Sequence, residues 1–408
     1  MVNEIEIAVI GAGPSGLSCA TKLSKLSHSV TVFERQSKSG GTPLHCGHKG
    51  FGIFEFQRVL TGPQYGELLT KKAKKAGVEI KLNHSLFKID DDILYFSTPL
   101  GVKKYRAKRV VFALGVRESH RSNYFISGTR SPNIITTGAL QRFVYEHESI
   151  PFVNGSIYGT EIVSFSALAT SKKSGIDIKA MVEKNRDIKS FFLLKPLSEK
   201  YFKTSIQTDI KDMSIHGENK KISHIAVKKD DNNIAIECEG VIFSGGFRPE
   251  SAILQERFED FNHINKSVNT TQSFQLSDER FFAVGNVLRG ALAAFKCYFE
   301  GKKCAKFVDN SLKEQKNQEI IKIEFDSEYV DWFTPTMIDL NCKKEYLTKL
   351  RFKTDQKGEL KVLLNGKVFI VQPVDTKSYT TVKIPWINYD VKAGDRIEVV
   401  FTTADQDI

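Results

Sequence analysis

The sequence predicts an α/β fold: two parallel-sheet units of the strand–turn–helix type, followed by a β-rich C-terminal module. Three observations predict it. An apolar strand at residues 5–10 runs directly into Gly11-Ala12-Gly13-Pro14-Ser15-Gly16, after which Leu17, Ala20, Leu23 and Leu26 keep helical spacing. A second strand-to-glycine junction follows at residues 156–159. Beyond residue 320 the hydrophobic period changes from helical spacing to strand alternation.

Each piece of the first junction has a mechanical reason. Gly11 permits the tight strand-to-helix turn, Gly13 lets a pyrophosphate approach the backbone, and Gly16 lets the helix pack close to the strand. Pro14 and Ser15 open the helix, where unpaired N–H groups and the helix dipole favour an anion. A second strand, residues 30–33, ends in Glu34, which is placed to accept hydrogen bonds from an adenosine ribose. Arg35 beside it suits either a 2′-phosphate or a flavin site. Strand, glycine turn, helix and acid together predict adenine-dinucleotide binding.

Composition narrows the classes. With 41% hydrophobic and 26% charged residues the chain has the balance of a core-forming protein. No stretch reaches the ~18 apolar residues of a membrane span, and the acidic N-terminus does not read as a signal peptide. The net charge of +11 is spread out; Lys71, Lys72, Lys74 and Lys75, and then Lys103 to Arg109, carry no interleaved aromatic stacking platform, so nucleic acid is not an expected partner. The six cysteines are scattered without a Cys-x-x-Cys pair, which argues against a disulfide framework, a metal site or an iron–sulfur loop and for a reducing cytoplasm.

Later segments carry a resemblance. A strand at residues 109–112 ends in Ala113-Leu114-Gly115, another at 241–243 ends in Ser244-Gly245-Gly246, and a third at 281–284 ends in Gly285-Asn286 before a helix-like run. Their order resembles the two-dinucleotide-domain flavoproteins, the superfamily of thioredoxin and glutathione reductases. The segments Gly40-Gly41-Thr42-Pro43-Leu44-His45-Cys46-Gly47-His48, Thr61-Gly62-Pro63, Gly115-Val116-Arg117-Glu118 and Thr136-Thr137-Gly138-Ala139 resemble a narrower group. That group comprises flavoprotein subunits of opine oxidase, hydrogen cyanide synthase, and amino-acid and glycerol-3-phosphate dehydrogenase complexes. The resemblance covers residues 1–310. It implies two Rossmann-like domains, an FAD domain (1–150 and 241–310) interrupted by an NAD(P)-like domain (151–240). It also implies FAD contacts at Gly41, Thr42, Ala113, Gly115, Gly285 and Asn286, the last standing where the family usually has Asp. The partner it implies is a second flavoprotein or dehydrogenase subunit; a homo-oligomer is the alternative.

His45 and His48 are acid–base candidates because imidazole titrates in the useful range; the alternative is that both are hydrogen-bonded loop residues. Cys46 stands alone, which disfavours dithiol chemistry and leaves a buried residue or a catalytic thiol. In the middle unit Glu161 and Ser164 replace the second and third motif glycines, while Glu183 keeps the place of the ribose acid. NAD(P)H binding there is therefore left open against a scaffold role. The polar stretch 311–319 reads as a linker, and residues 320–408 as a small, independently folding antiparallel sandwich or barrel concerned with assembly. Asn365-Gly366 marks a hairpin within it. Trp332, Phe333 and Trp386 serve either its core or a docking face.

Three functions remain on these grounds. The leading one is an FAD-dependent oxidoreductase subunit acting on an amine, amino acid or hydroxy acid. The others are a stand-alone NAD(P)H-dependent flavin reductase and a non-catalytic nucleotide-binding subunit.

Overall fold

Strand Val2–Ile10 lies at the centre of the first sheet, where Ile7, Ala8 and Val9 are fully buried. It pairs in parallel with Val30–Phe33 on one side and Gly101–Phe112 on the other, so Ile10 sits level with both Phe33 and Phe112. Glu79–Lys81 extends the sheet beyond Val30–Phe33, and an antiparallel pair, Ile93–Thr98 and Ser85–Asp90, extends the other edge. Phe281–Ala283 returns to pair with Gly101–Phe112, which ties residues distant in sequence to the first unit. The basic run at Lys71 to Lys75 falls on helix Gly62–Lys75, and the one at Lys103 to Arg109 on the hairpin strand Gly101–Phe112. This structure, a computed structural model, describes residues 1–190, 194–313, 318–325, 328–342, 346–377, 380–386 and 391–403.

Helix Pro14–Ser24 starts straight after the glycine turn, with Gly13 as its N-cap and Pro14 at its first position, where a missing N–H costs nothing. It packs on helix Ala294–Lys313. The two backbones approach so closely at Gly301 that a Cβ there would lie 2.1 Å from the Ser15 carbonyl oxygen. Ser18 donates to the Tyr298 carbonyl at 2.8 Å across the same contact.

The second sheet is wholly parallel, in the order Ile134–Thr136, Gly240–Phe243, Asn154–Tyr158, Asp177–Val182, Ser205–Gln207. Its first strand comes from before residue 151. Gly240–Phe243, expected to begin the return to the first unit, pairs inside this sheet instead. A separate sheet of Ser127–Gly128, Asp212–His216, His224–Lys229 and Asn232–Glu237 lies beside it.

The C-terminal module packs a five-stranded sheet on a three-stranded one around Leu350, Leu360, Ile384 and Ile397. Its hairpin turns at Asn365-Gly366, both at positive φ, between the paired residues Leu364 and Lys367. The pairing is not purely antiparallel, because Ile320–Phe325 runs parallel to Ile397–Thr403. Trp332 and Phe333 are buried, as core residues would be; the Trp386 side chain and residues 314–317 of the expected linker lie outside the described residues. The module is not detached. Asn265 exchanges hydrogen bonds with the Phe333 backbone at 2.6 and 3.0 Å, Gln272 does the same with Asp339, and Thr270 bonds Thr336 and Met337. Buried bonds of this kind are costly to leave unmade, so the expectation of an independent, linker-separated unit is corrected: the 260–272 segment and the module hold each other.

Candidate active site

The parallel strands of both sheets end toward one cavity of about 1670 Å³. That exceeds the roughly 300–1,000 Å³ usual for a drug-sized ligand and leaves room for a dinucleotide and a second molecule. Its position outside the carboxyl ends of the strands is where open α/β sheets bind ligands.

The three motif glycines differ in what requires them. Gly11 is at φ +106°, and a Cβ there would lie 2.4 Å from the Ala113 carbonyl oxygen; a Cβ on Gly16 would lie 2.0 Å from the Gly11 oxygen. Both are demanded by the fold. A Cβ on Gly13 would meet only the Gly41 Cα, at 4.0 Å, and would otherwise project into the cavity. No packing accounts for Gly13. Glu34 closes the turn: its Oε2 accepts from the Ala12 N–H and its Oε1 from the Gln36 N–H, both at 2.9 Å. Each oxygen keeps a lone pair for a further donor. Arg35 lies 3.7 Å from Glu250 at the cavity edge.

The cavity also gathers Pro14, Ser15, Gly41, Thr42, Ala113, Gly115 and Asn286. Gly41 is locked against the turn, since a Cβ on it would lie 2.7 Å from the Gly13 Cα. Gly285 stands behind Ser15, where a Cβ would come within 2.5 Å of the Ser15 hydroxyl. Asn286 is used by its own loop: its Oδ1 accepts from the Leu292 N–H at 2.9 Å and from the Cys297 thiol at 3.1 Å. That bond shapes the approach to helix Ala294–Lys313, whose first residues line the cavity and whose first-turn N–H groups have no partner within the helix.

The three catalytic candidates part company. His45 Nδ1 lies 2.9 Å from Glu146 Oε1 but makes no well-aligned hydrogen bond, and burial, outweighing Glu146, pushes its pKa down. It lies on the cavity wall and holds a proton less tightly than a free imidazole does. His48 is exposed, stacked 5.2 Å from Phe51, with Nδ1 3.0 Å from the Lys49 carbonyl. Burial, with the Glu118 charge, pushes the Cys46 thiol up to about 12, so it is a protonated thiol at neutral pH rather than a nucleophile. Glu118, which sequence reasoning used only within a motif, accepts from the Gly138 N–H at 2.7 Å and the Gly245 N–H at 3.4 Å; burial pushes its carboxyl up against these bonds.

In the middle unit Glu161 turns its carboxylate onto Gly245-Gly246, accepting from the Gly246 N–H at 2.9 Å. Glu183 is buried and accepts from the Thr160 hydroxyl at 2.6 Å and the Asn185 N–H at 3.1 Å. The C-terminal module reaches the cavity as well, through Trp332, Arg351 and Lys353. Nothing in the local sequence signals that contact.

Fold and cleft together define a class: an α/β protein of two dinucleotide-type units whose strand ends face one cleft. The family described as "NAD(P)-binding Rossmann-like domain" matches residues 9–62. The chain is 23% identical over 318 residues to the NAD-dependent dihydropyrimidine dehydrogenase subunit PreT homolog of Salmonella typhi, covering 76% of this chain and 69% of that one. It is 22% identical over 386 residues to dihydrolipoyl dehydrogenase of Manduca sexta, covering 84% and 75%. Its fold is shared with thioredoxin reductase of T. acidophilum, with a TM-score of 0.63 at 16% identity, over 76% of this chain and all of the other. Among the described residues no helix is long and apolar enough to cross a membrane.

Proposed function

We propose that the chain is an FAD-dependent oxidoreductase, one subunit of a heteromeric dehydrogenase or oxidase acting on an amine, amino acid or hydroxy acid in the cytoplasm. The observation that carries the reading is the unfilled space above Gly13, between a helix N-terminus and the Glu34 carboxylate. Gly13, Pro14 and Ser15 would hold the pyrophosphate, Glu34 the adenosine ribose, and Gly41, Thr42, Ala113, Gly115, Gly285 and Asn286 the remainder. FAD, when bound, supplies the acceptor for a hydride. The first turn of helix Ala294–Lys313 favours negative charge at the cavity. His45, whose pKa burial lowers, takes up the proton that leaves the substrate's N–H or O–H.

Residues 1–150 and 241–310 serve the FAD in this reading, apart from strands Ile134–Thr136 and Gly240–Phe243, which join 151–240 in a degenerate NAD(P)-like unit. The names of relatives that are subunits of larger enzymes support a heteromeric role, with a second flavoprotein or dehydrogenase subunit as partner. The stand-alone NAD(P)H-dependent reductase is disfavoured by Glu161. The purified chain should be yellow, with a band near ~450 nm and FAD released on denaturation, since the glycine turn suits a dinucleotide pyrophosphate. A colourless protein that binds ADP or ATP instead would establish the non-catalytic alternative.

A further inference from the structure

The rim of the cavity carries an exposed apolar patch. Ile53 and Phe54 lie on the one-turn helix Ile53–Phe56, which is bounded by left-handed residues at Gly52 and Gln57, and Val59 follows it. These three side chains are 43%, 65% and 64% exposed. The Phe54 ring meets Phe295 at 4.4 Å, and Phe299, 45% exposed, lies one turn further along the same face of helix Ala294–Lys313. The patch thus joins two elements distant in sequence, and Phe54 and Phe295 also line the cavity. Single exposed apolar residues are ordinary, but a contiguous group marks a surface that something covers.

Charge indicates what covers it. In segments 49–59 and 294–303 the acids are turned inward. Glu55 Oε1 accepts from the Tyr65 hydroxyl at 2.6 Å, with Oε2 buried, and Glu300 pairs with the buried Arg289. The cations of the same segments, Lys49, Arg58, Lys296, Lys302 and Lys303, are all exposed. The patch is therefore flanked by positive charge alone, in a chain that carries +11 overall. A second copy laid face to face would bring like charges together. Protein interfaces are depleted of lysine, and their anchors are mostly tryptophan, tyrosine and arginine. This surface offers phenylalanine, isoleucine and valine with a lysine-rich border. Apolar tips with basic flanks suit an anionic bilayer surface, where the tips enter below the headgroups and the ammonium groups stay among the phosphates.

We infer that this patch docks the chain peripherally onto an anionic membrane surface, with Ile53, Phe54, Val59 and Phe299 inserted and Lys296 and Lys302 on the headgroups. The rim of the cavity then faces the bilayer. The inference is independent of the oxidoreductase reading, since it uses no side chain assigned to FAD or to catalysis.

Flotation of the full chain, as purified, tests this with vesicles of phosphatidylcholine alone and of phosphatidylcholine and phosphatidylglycerol in equal parts. Binding to the mixed vesicles alone is expected, and it should weaken with added salt. Phe54→Asp should weaken it about tenfold or more, because an inserted ring is replaced by a charge that the lipid repels. Lys296→Glu combined with Lys302→Glu should weaken it to a similar extent. Lys221→Glu combined with Lys228→Glu makes the same change in net charge at exposed positions outside the cavity lining, and should leave most of the binding intact. Circular dichroism checks that each variant is folded. No binding to the mixed vesicles would overturn the inference. So would equal losses in the two lysine pairs, or no loss with Phe54→Asp, since net charge alone would then account for the binding. Without vesicle binding, a dimer mass by light scattering that Phe54→Asp abolishes would assign the patch to a second copy. An acidic protein retained by the immobilised chain only while Phe54 is present would assign it to a protein partner instead.

Discussion

The two strand–glycine–helix junctions of this chain share a backbone and differ in what they leave open. Gly11 and Gly159 both sit at positive φ, and a Cβ on either would strike a carbonyl of the neighbouring strand's end, Ala113 at 2.4 Å or Ser244 at 2.3 Å. That glycine belongs to the fold and is kept twice. Gly13 is required by nothing in the first unit's packing, and its counterpart is Glu161, whose carboxylate lies over Gly245-Gly246. The acids at the strand ends follow suit. Glu34 bonds the turn backbone beside open space, whereas Glu183 bonds the Thr160 side chain and is sealed behind it. A dinucleotide turn is thus two requirements superposed, one of the chain and one of the ligand, and the second can be lost while the first persists.

The largest effect should come from breaking the two requirements separately. Gly13→Val should lower FAD affinity by roughly 100-fold or more, because the side chain occupies the pyrophosphate position, and leave the circular dichroism spectrum unchanged. Gly11→Val should instead unfold the first unit. Stoichiometric flavin in the Gly13 variant would show that this turn does not hold the cofactor.

The next effect concerns the degenerate junction. A carboxylate facing a phosphate costs on the order of a few kcal/mol at protein-surface dielectric, so NADH and NADPH should reduce the flavin slowly or not at all in anaerobic stopped flow. Glu161→Gly should improve the apparent NADH affinity by about 10–100-fold, the same repulsion expressed as a ratio. A fast, saturable phase in the unaltered chain would mean that the nucleotide avoids Glu161.

Local signals made the first junction legible. Its strand, turn, helix and acid lie within residues 5–34, and each needs its residue type for a reason visible in sequence. The Asn365-Gly366 hairpin was readable for the same reason, since two positive-φ positions select those residues. Strands Val330–Thr334 and Met337–Asp339 escaped notice because they are short and contain Asp and Thr amid the apolar positions. The placement of Gly240–Phe243 in the second sheet was illegible because an apolar strand of four residues carries no record of its partner. The contribution of Trp332, Arg351 and Lys353 to the cavity depends on Asn265, Thr270 and Gln272 docking the module, contacts about 66 residues or more apart. Ordinary polar residues of this kind have no spacing to betray them.

The smallest effect sharpens the contrast from the back of the first unit. His28 bridges two of its elements, with Nδ1 3.0 Å from Glu6 on strand Val2–Ile10 and Nε2 2.8 Å from Asp309 on helix Ala294–Lys313. Burial alone would push the imidazole pKa down, but the bonds to Asp309 and Glu6 outweigh it and the net shift is upward from 6.5. A group that binds its proton more tightly when folded stabilises the fold fully below its unfolded pKa, and that contribution fades as pH rises through the folded one. Between 6.5 and the raised value, thermal unfolding of the first unit should therefore move to lower temperature with rising pH. His28→Gln should flatten that slope while leaving the middle unit's transition in place, because both partners of His28 belong to the first unit. A slope that survives the substitution would assign it to another titrating group, and the two junctions would then differ in ligand access alone.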